Sequence, residues 1–168
     1  DRELLKYFSD TFQIPVISTF PALDLFEYDH PLYVGRPGGV SMRSANFAVQ
    51  NCDLLISVGS SLNNVITAFN PKNFATDAAK ILVDIDPHEI EKHALTKLTP
   101  VIGDAKQFLK AVMQHYSDSG SLQGPDTSEW VKFTAWLKAT YANEYQHFLK
   151  KSTEHISHYE AIDVLSDV

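Results

Sequence analysis

The chain has 168 residues with 14 Lys plus Arg against 21 Asp plus Glu, a formal net charge of −7, and 44% hydrophobic and 21% charged residues. That balance excludes wholesale disorder and supplies enough apolar sequence for a core; the acidic excess argues against a dedicated nucleic-acid binder, which carries a basic stripe. A single cysteine, Cys52, excludes an internal disulfide framework and a cysteine-built zinc site, which fits a reducing cytoplasmic setting. No apolar run approaches the roughly 20 residues needed to cross a bilayer, and no signal peptide is visible.

In chain order, Leu4, Leu5, Phe8 and Phe12 recur at helical spacing, predicting a helix over residues 2–12. Ile14–Ser18 is β-branched and reads as a strand. Residues 19–40 hold three prolines and three glycines and read as mostly loop, with a helical turn near Leu23–Phe26. Ser41 is placed to cap a helix reaching Asn51. Asp53–Val58 is a nearly unbroken apolar run ending at Gly59, which suits a parallel strand covered on both faces. Residues 60–73 read as loop, and Phe74–Ala79 as a short helix.

Ile81–Ile85 is the next strand, after which Asp86-Pro87 has the signature of a capped helix start. Pro100–Ile102 predicts a short strand closed by Gly103, and Asp104 caps a helix from Ala105 to Tyr116. Ser117–Thr127 is the clearest linker. Ser128 then caps a long amphipathic helix through Trp130, Phe133, Leu137, Tyr141 and Phe148, and Glu160–Leu165 reads as the start of another.

Strands alternating with helices predict an α/β fold: a three-layer, mostly parallel, Rossmann-like sheet flanked by helices, with a long connecting helix at its C-terminal end. Such sheets bind ligands at the carboxyl ends of their strands. Those ends carry Thr19, then Gly59-Ser60-Ser61, then Asp84 to Asp86, then Gly103-Asp104, and parallel strands set all four groups along one edge. A glycine after a buried strand lets neighbouring amides approach a phosphate. Asp84 can accept hydrogen bonds from a ribose, and Arg36, within Gly35-Arg36-Pro37-Gly38-Gly39, can meet a phosphate. The same residues also have purely structural readings, with Gly59 and Gly103 as strand terminators and Asp86 and Asp104 as helix caps. His155 and His158 read as surface residues rather than metal ligands. Neither a Gly-x-Ser-x-Gly elbow nor a Walker loop is present. Cys52 reads as a buried small hydrophobe, and the aromatic stripe from Trp130 through Trp136 to Phe148 as a packing face.

Five strings, in this order, resemble one family: Ile14-Pro-Val-Ile-Ser-Thr19, Asp29-His-Pro-Leu-Tyr-Val-Gly35, Arg43-Ser-Ala-Asn-Phe-Ala-Val-Gln-Asn-Cys-Asp-Leu-Leu-Ile-Ser-Val-Gly59, Val83-Asp-Ile-Asp-Pro-His-Glu-Ile-Glu-Lys92 and Gly103-Asp104. Residues 1–116 resemble the central domain of thiamine-diphosphate-dependent enzymes, on the acetolactate synthase-like branch. The segment Asp53–Leu62 is also similar to sirtuins and to other members of that nucleotide-binding fold (the sirtuin/DHS-like group). A free-standing NAD-dependent deacylase of sirtuin type is disfavoured, because one cysteine cannot build that family's four-cysteine zinc module.

The resemblance implies a larger parent enzyme that decarboxylates and ligates 2-oxo acids, using thiamine diphosphate and Mg2+ held by pyrimidine- and pyrophosphate-binding domains outside this sequence, in a homodimer or tetramer. It implies a central domain over 1–116 whose first strand lies before Asp1, a linker at 117–127, a connecting helix at 128–158 and the opening of the pyrophosphate-binding domain at 159–168. Asp1 in place of Met fits a chain cut from something longer. On its own this chain is expected to be non-catalytic. Relatives hold FAD or ADP in the central domain, or nothing. Carried over by position, the FAD-contacting set is Thr19, Phe20, Gly35, Arg36, Gly38, Gly39, Gly59, Ser60, Ser61, Asp84, Ile85, Gly103 and Asp104. The family's loop histidine falls on Val40 and its arginine after the strand glycine falls on Ser61. Losing one charged contact of that kind costs about 1.5–3 kcal/mol. The alternative expectation is an assembly domain with a vestigial nucleotide site.

Overall fold

A computed structural model describes residues 2–120, 125–142 and 155–166. Strands β1 (Val16–Ile17), β2 (Tyr33–Gly35), β3 (Leu54–Val58), β4 (Ala79–Asp84) and β5 (Leu98–Ile102) alternate with helices α1 (Arg2–Phe12), α2 (Arg43–Asn51), α3 (Pro87–Glu91) and α4 (Ala105–Asp118). Helices α5 (Ser128–Tyr141) and α6 (His158–Ser166) follow. Every pairing among the described residues is parallel: β1 with β2, and β3 with β4 with β5. The protein is an α/β fold of the Rossmann-like kind, with helices packed against parallel strands.

The larger sheet is in strict register, Ile56 opposite Ile81 and Ile81 opposite Thr99. Its central strand β4 is the most buried, with Leu82 1% and Val83 0% exposed, because it has strands on both sides. Apolar residues from β4, α2, α3 and the segment before β4 form the main core, including Val49, Phe74, Ala78, Leu82 and Ile90. Phe8 and Phe12 of α1 pack on Leu109 of α4 in a second cluster. Val34, Ala48 and Leu137 make a third, where α5 lies across α2 and β2.

The structure departs from sequence expectation at several points. The sheet is divided: β1–β2 and β3–β4–β5 are separate among the described residues, and β3, parallel as expected, lies at the edge of the larger sheet. Tyr33–Gly35 is a strand inside the Pro- and Gly-rich stretch; three residues are too few to show periodicity. The expected turn at Leu23–Phe26 is instead a 3-10 turn at Phe20–Ala22, started by Pro21. Phe74–Ala79 is not a helix; Pro71–Asn73 forms a 3-10 turn and Ala79 already belongs to β4.

Ser41 does not cap α2. Met42 occupies that position without a side-chain bond, while the Ser41 hydroxyl accepts from Asn46. Thr127, not Ser128, precedes α5, and the Ser128 amide is bonded by the Asp126 carboxylate. Trp136 is 56% exposed and stands off the packing face formed by Trp130, Phe133 and Tyr141. Phe148, most of the expected helix beyond Tyr141 and part of the expected linker (121–124) lie outside the described residues. Asp86 and Asp104 cap α3 and α4 as anticipated, accepting from the amides of His88 and Gln107. No described helix is long and apolar enough to cross a membrane.

Candidate functional site

The parallel registers place the predicted residues in two groups. In the larger sheet, Gly59 follows the Val58–Val83 pair, and Asp84 lies opposite Ile102, so Gly59, Asp84, Ile85, Gly103 and Asp104 share one carboxyl edge. In the smaller sheet Ile17 pairs with Gly35, which puts Thr19 and Phe20 beside the glycine loop at residues 35–39. The Arg36 guanidinium stacks over the Phe20 ring at 5.2 Å.

Four glycine amides of the predicted set are bonded within the protein. Gly38 N–H donates to Asn46 Oδ1 at 2.8 Å, and Gly39 N–H to Val65 O at 2.9 Å. Gly59 N–H donates to Val83 O and Gly103 N–H to Asp84 O, each at 2.9 Å. The glycine loop is therefore clamped from both sides: Asn46 Nδ2 returns a bond to Gly38 O and another to Ser41 Oγ. Gly38 has φ +113°, and a Cβ there would sit 2.7 Å from Val65 O, so its lack of a side chain is explained by the Val65 segment crossing over it.

The carboxylates are similarly engaged. Asp84 Oδ1 accepts from Asp86 N, and Asp104 Oδ1 caps α4. Beside Ser61 lies His93, whose imidazole burial pushes its pKa down. The Nε2 of His93 and the Nε of Arg36 are buried side-chain atoms without a partner among the described residues. Val40, Ile85 and Ile102 are exposed on the strand ends and their loops, an apolar rim beside these polar groups. Asn46 and Val65 were missed as loop-holding residues; the spacing of Asn46 eight residues after Gly38 is its only local signal.

Elsewhere, Cys52 is buried and its thiol donates to Val49 O at 3.2 Å; burial raises its pKa, which disfavours the thiolate. Among the described residues no group of His, Cys, Asp and Glu is arranged to hold a metal.

A family profile described as the central domain of thiamine pyrophosphate enzymes matches residues 2–112. The chain belongs to this central-domain family. It is 36% identical over 144 residues to the acetolactate synthase large subunit of Corynebacterium glutamicum, covering 86% of this chain and 22% of that protein. It is 31% identical over 164 residues to a probable acetolactate synthase large subunit of Methanococcus aeolicus, covering 98% of this chain and 26% of that protein. Acetolactate synthase isozyme 2 large subunit of Escherichia coli K12 is 32% identical over 143 residues, 85% of this chain and 24% of the relative. The chain thus spans about a quarter of the length of these relatives.

For this central domain, the chemistry of the edge bears on whether a dinucleotide fits. A pyrophosphate cradle needs amides that point outward unspent. Here the amides of Gly38, Gly39, Gly59 and Gly103 are spent on protein carbonyls and on Asn46. The charged donor expected after the strand glycine is Ser61. Four bonded glycine amides and an uncharged Ser61 leave this edge fewer phosphate donors than the resemblance implies.

Proposed function

We propose that this chain acts as the central domain of a thiamine-diphosphate enzyme of the acetolactate synthase-like type, a transferase and lyase that decarboxylates a 2-oxo acid and ligates the product. Membership over residues 2–112, together with similarity to acetolactate synthase large subunits, supports this reading. The coenzyme, with Mg2+, supplies stabilisation of the carbanion formed on decarboxylation. On this reading the pyrimidine- and pyrophosphate-binding domains hold both groups, so the chain alone is non-catalytic. Residues 1–116 are the domain proper, the segment carrying α5 connects it onward, and 159–168 are the opening of the pyrophosphate-binding domain. The parent is a cytoplasmic homodimer or tetramer.

The role of the domain within that enzyme is assembly. The observation that favours this over flavin or ADP binding is that the amides of Gly38, Gly39, Gly59 and Gly103 are already bonded internally. The exposed Val40, Ile85 and Ile102 then serve as contacts to neighbouring domains. A chimera tests the catalytic reading: residues 2–116 replace the corresponding region of the Corynebacterium glutamicum large subunit. Acetolactate formation is expected to survive in the chimera and to be absent from residues 1–168 alone. Catalysis by the isolated chain, or a dead but folded chimera, rejects the reading. Incubation with FAD or ADP followed by desalting is expected to leave no bound nucleotide and no shift in Tm.

A further inference from the structure

We infer that His93 is an acid-sensitive latch on the glycine loop: its neutral ring holds residues 61–69 closed over Gly38 and Gly39, and its protonation releases them. The contact being controlled is a backbone one. Val65 O accepts from Gly39 N–H at 2.9 Å and stands 2.7 Å from where a Cβ on Gly38 would lie. Asn46 holds the loop from the other side. Release of 61–69 therefore undoes one of these two attachments and frees the Gly39 amide.

The segment closes against strain. Leu62, Ala68 and Phe69 have φ of +40°, +50° and +57°, the left-handed region that residues with side chains avoid. Such strain persists only where the surroundings over-determine it. Leu62 and Ile66 anchor the segment in the main core, and Asn63 Oδ1 accepts from the amides of Val65 and Ile66. Val65 and Phe69 face outward. At its start, the Ser61 backbone meets the ring of His93.

That ring is poorly placed to carry a charge. Its Nε2 is buried without a partner among the described residues, and burial holds the pKa below its ordinary value. An imidazolium carries N–H on both nitrogens. Protonation there adds a buried charge and a donor with no acceptor, which is costly. The charged groups acting on the ring are Lys92 and Glu89 of α3, which are paired with each other. Across from it, residues 54–70 hold no charged side chain. Beneath α3, β4 ends in Asp84, which accepts from Asp86 N, and Asp86 caps α3 at His88 N. Opening the segment wets the ring and returns its pKa to about 6.5. The open form therefore takes up the proton first as pH falls, and acid favours it.

Amide hydrogen exchange of the 168-residue chain tests this without substrate or coenzyme, so the outcome is independent of the catalytic reading. Rates are expressed as protection factors, which removes the intrinsic pH dependence. Near neutrality the amides of Gly39, Ile66 and Thr67 are expected to be at least ~10-fold less protected than those of Leu82 and Val83, marking an opening smaller than global unfolding. Between about pH 7.5 and about pH 5.5 their protection is expected to fall roughly 5–10-fold. In His93→Gln, which cannot titrate, it is expected to stay flat. A titration of the His93 ring Cε1 proton needs no variant, and its midpoint is expected below the ordinary histidine range. The inference is overturned if these amides are protected as strongly as Leu82 and Val83, or if their protection is flat with pH in the parent chain. It is also overturned if the fall persists in His93→Gln, or if the ring titrates in the ordinary range.

Discussion

The two halves of the sheet are stabilised in different ways. The β3–β4–β5 half is built from five- and six-residue strands in unbroken register, and α3 and α4 are each capped by an aspartate close by in sequence. The β1–β2 half has strands of two and three residues with an irregular register. It is held by side chains and by distant chain: Ser18 and Tyr33 hydroxyls bond at 3.0 Å, and Ser44 donates to Val34 O at 2.9 Å. Lys138 of α5 donates to the carbonyls of Tyr28 and His30, and Thr127 to Gln13 O. A long ladder is supported locally, whereas a short one depends on what is packed over it.

Mutations can break or sharpen that contrast. The largest effect is expected for Leu82→Ala in the centre of the long ladder, a loss of about 3–4 kcal/mol in urea unfolding. Val34→Ala, equally buried in the short ladder, is expected to cost about 1–2 kcal/mol, since fewer atoms are removed. A larger loss at Val34 than at Leu82 would reverse the ranking of the halves. Gly38→Ala places a Cβ against the Val65 carbonyl at a φ that L residues avoid, and about 2 kcal/mol is expected. Its loss should be accompanied by faster exchange of the Gly39 amide, which is bonded to Val65.

Ser44→Ala leaves the Val34 carbonyl unpaired in a buried site, at about 1–2 kcal/mol. In the long-ladder half, Asp104→Ala removes only a cap, about 1 kcal/mol, with Asp104→Asn recovering most of it. The smallest effect is pH-dependent. Burial lowers the pKa of His93 below its ordinary 6.5, so the unfolded chain takes up the proton first as pH falls. The contribution is intact above about pH 6.5 and is lost as pH drops through the folded value. Stability curves of His93→Gln should therefore be flatter between neutral and mildly acidic pH than those of the parent chain.

Much of the larger half was legible in advance. The run Asp53–Val58, the Asp86-Pro87 start and the Asp104 cap are local signals, carried by residues within a turn of one another. Strand β2 was not legible, because Tyr33–Gly35 is extended only through pairing with β1 and burial beneath α2 and α5. The candidate edge was half legible. Its residues were found by position, but the bonds that occupy their amides come from Asn46, Val65 and Val83, which no short motif connects to them. The carried-over set falls on two groups of strand ends, and the bonds of four of its glycine amides come from partners that no motif announces.

Composition, strand–helix alternation and the ordered strings were enough to assign this chain to a parallel α/β fold and to its family, because apolar runs, caps and breakers act over a few residues. Only the tertiary structure decided that the sheet is divided, that four of its glycine amides are bonded internally, and that β1 and β3 line one cavity. Those outcomes depend on which distant backbone groups find each other. The acidic excess noted at the outset leaves that cavity untouched, since it is lined mainly by uncharged side chains.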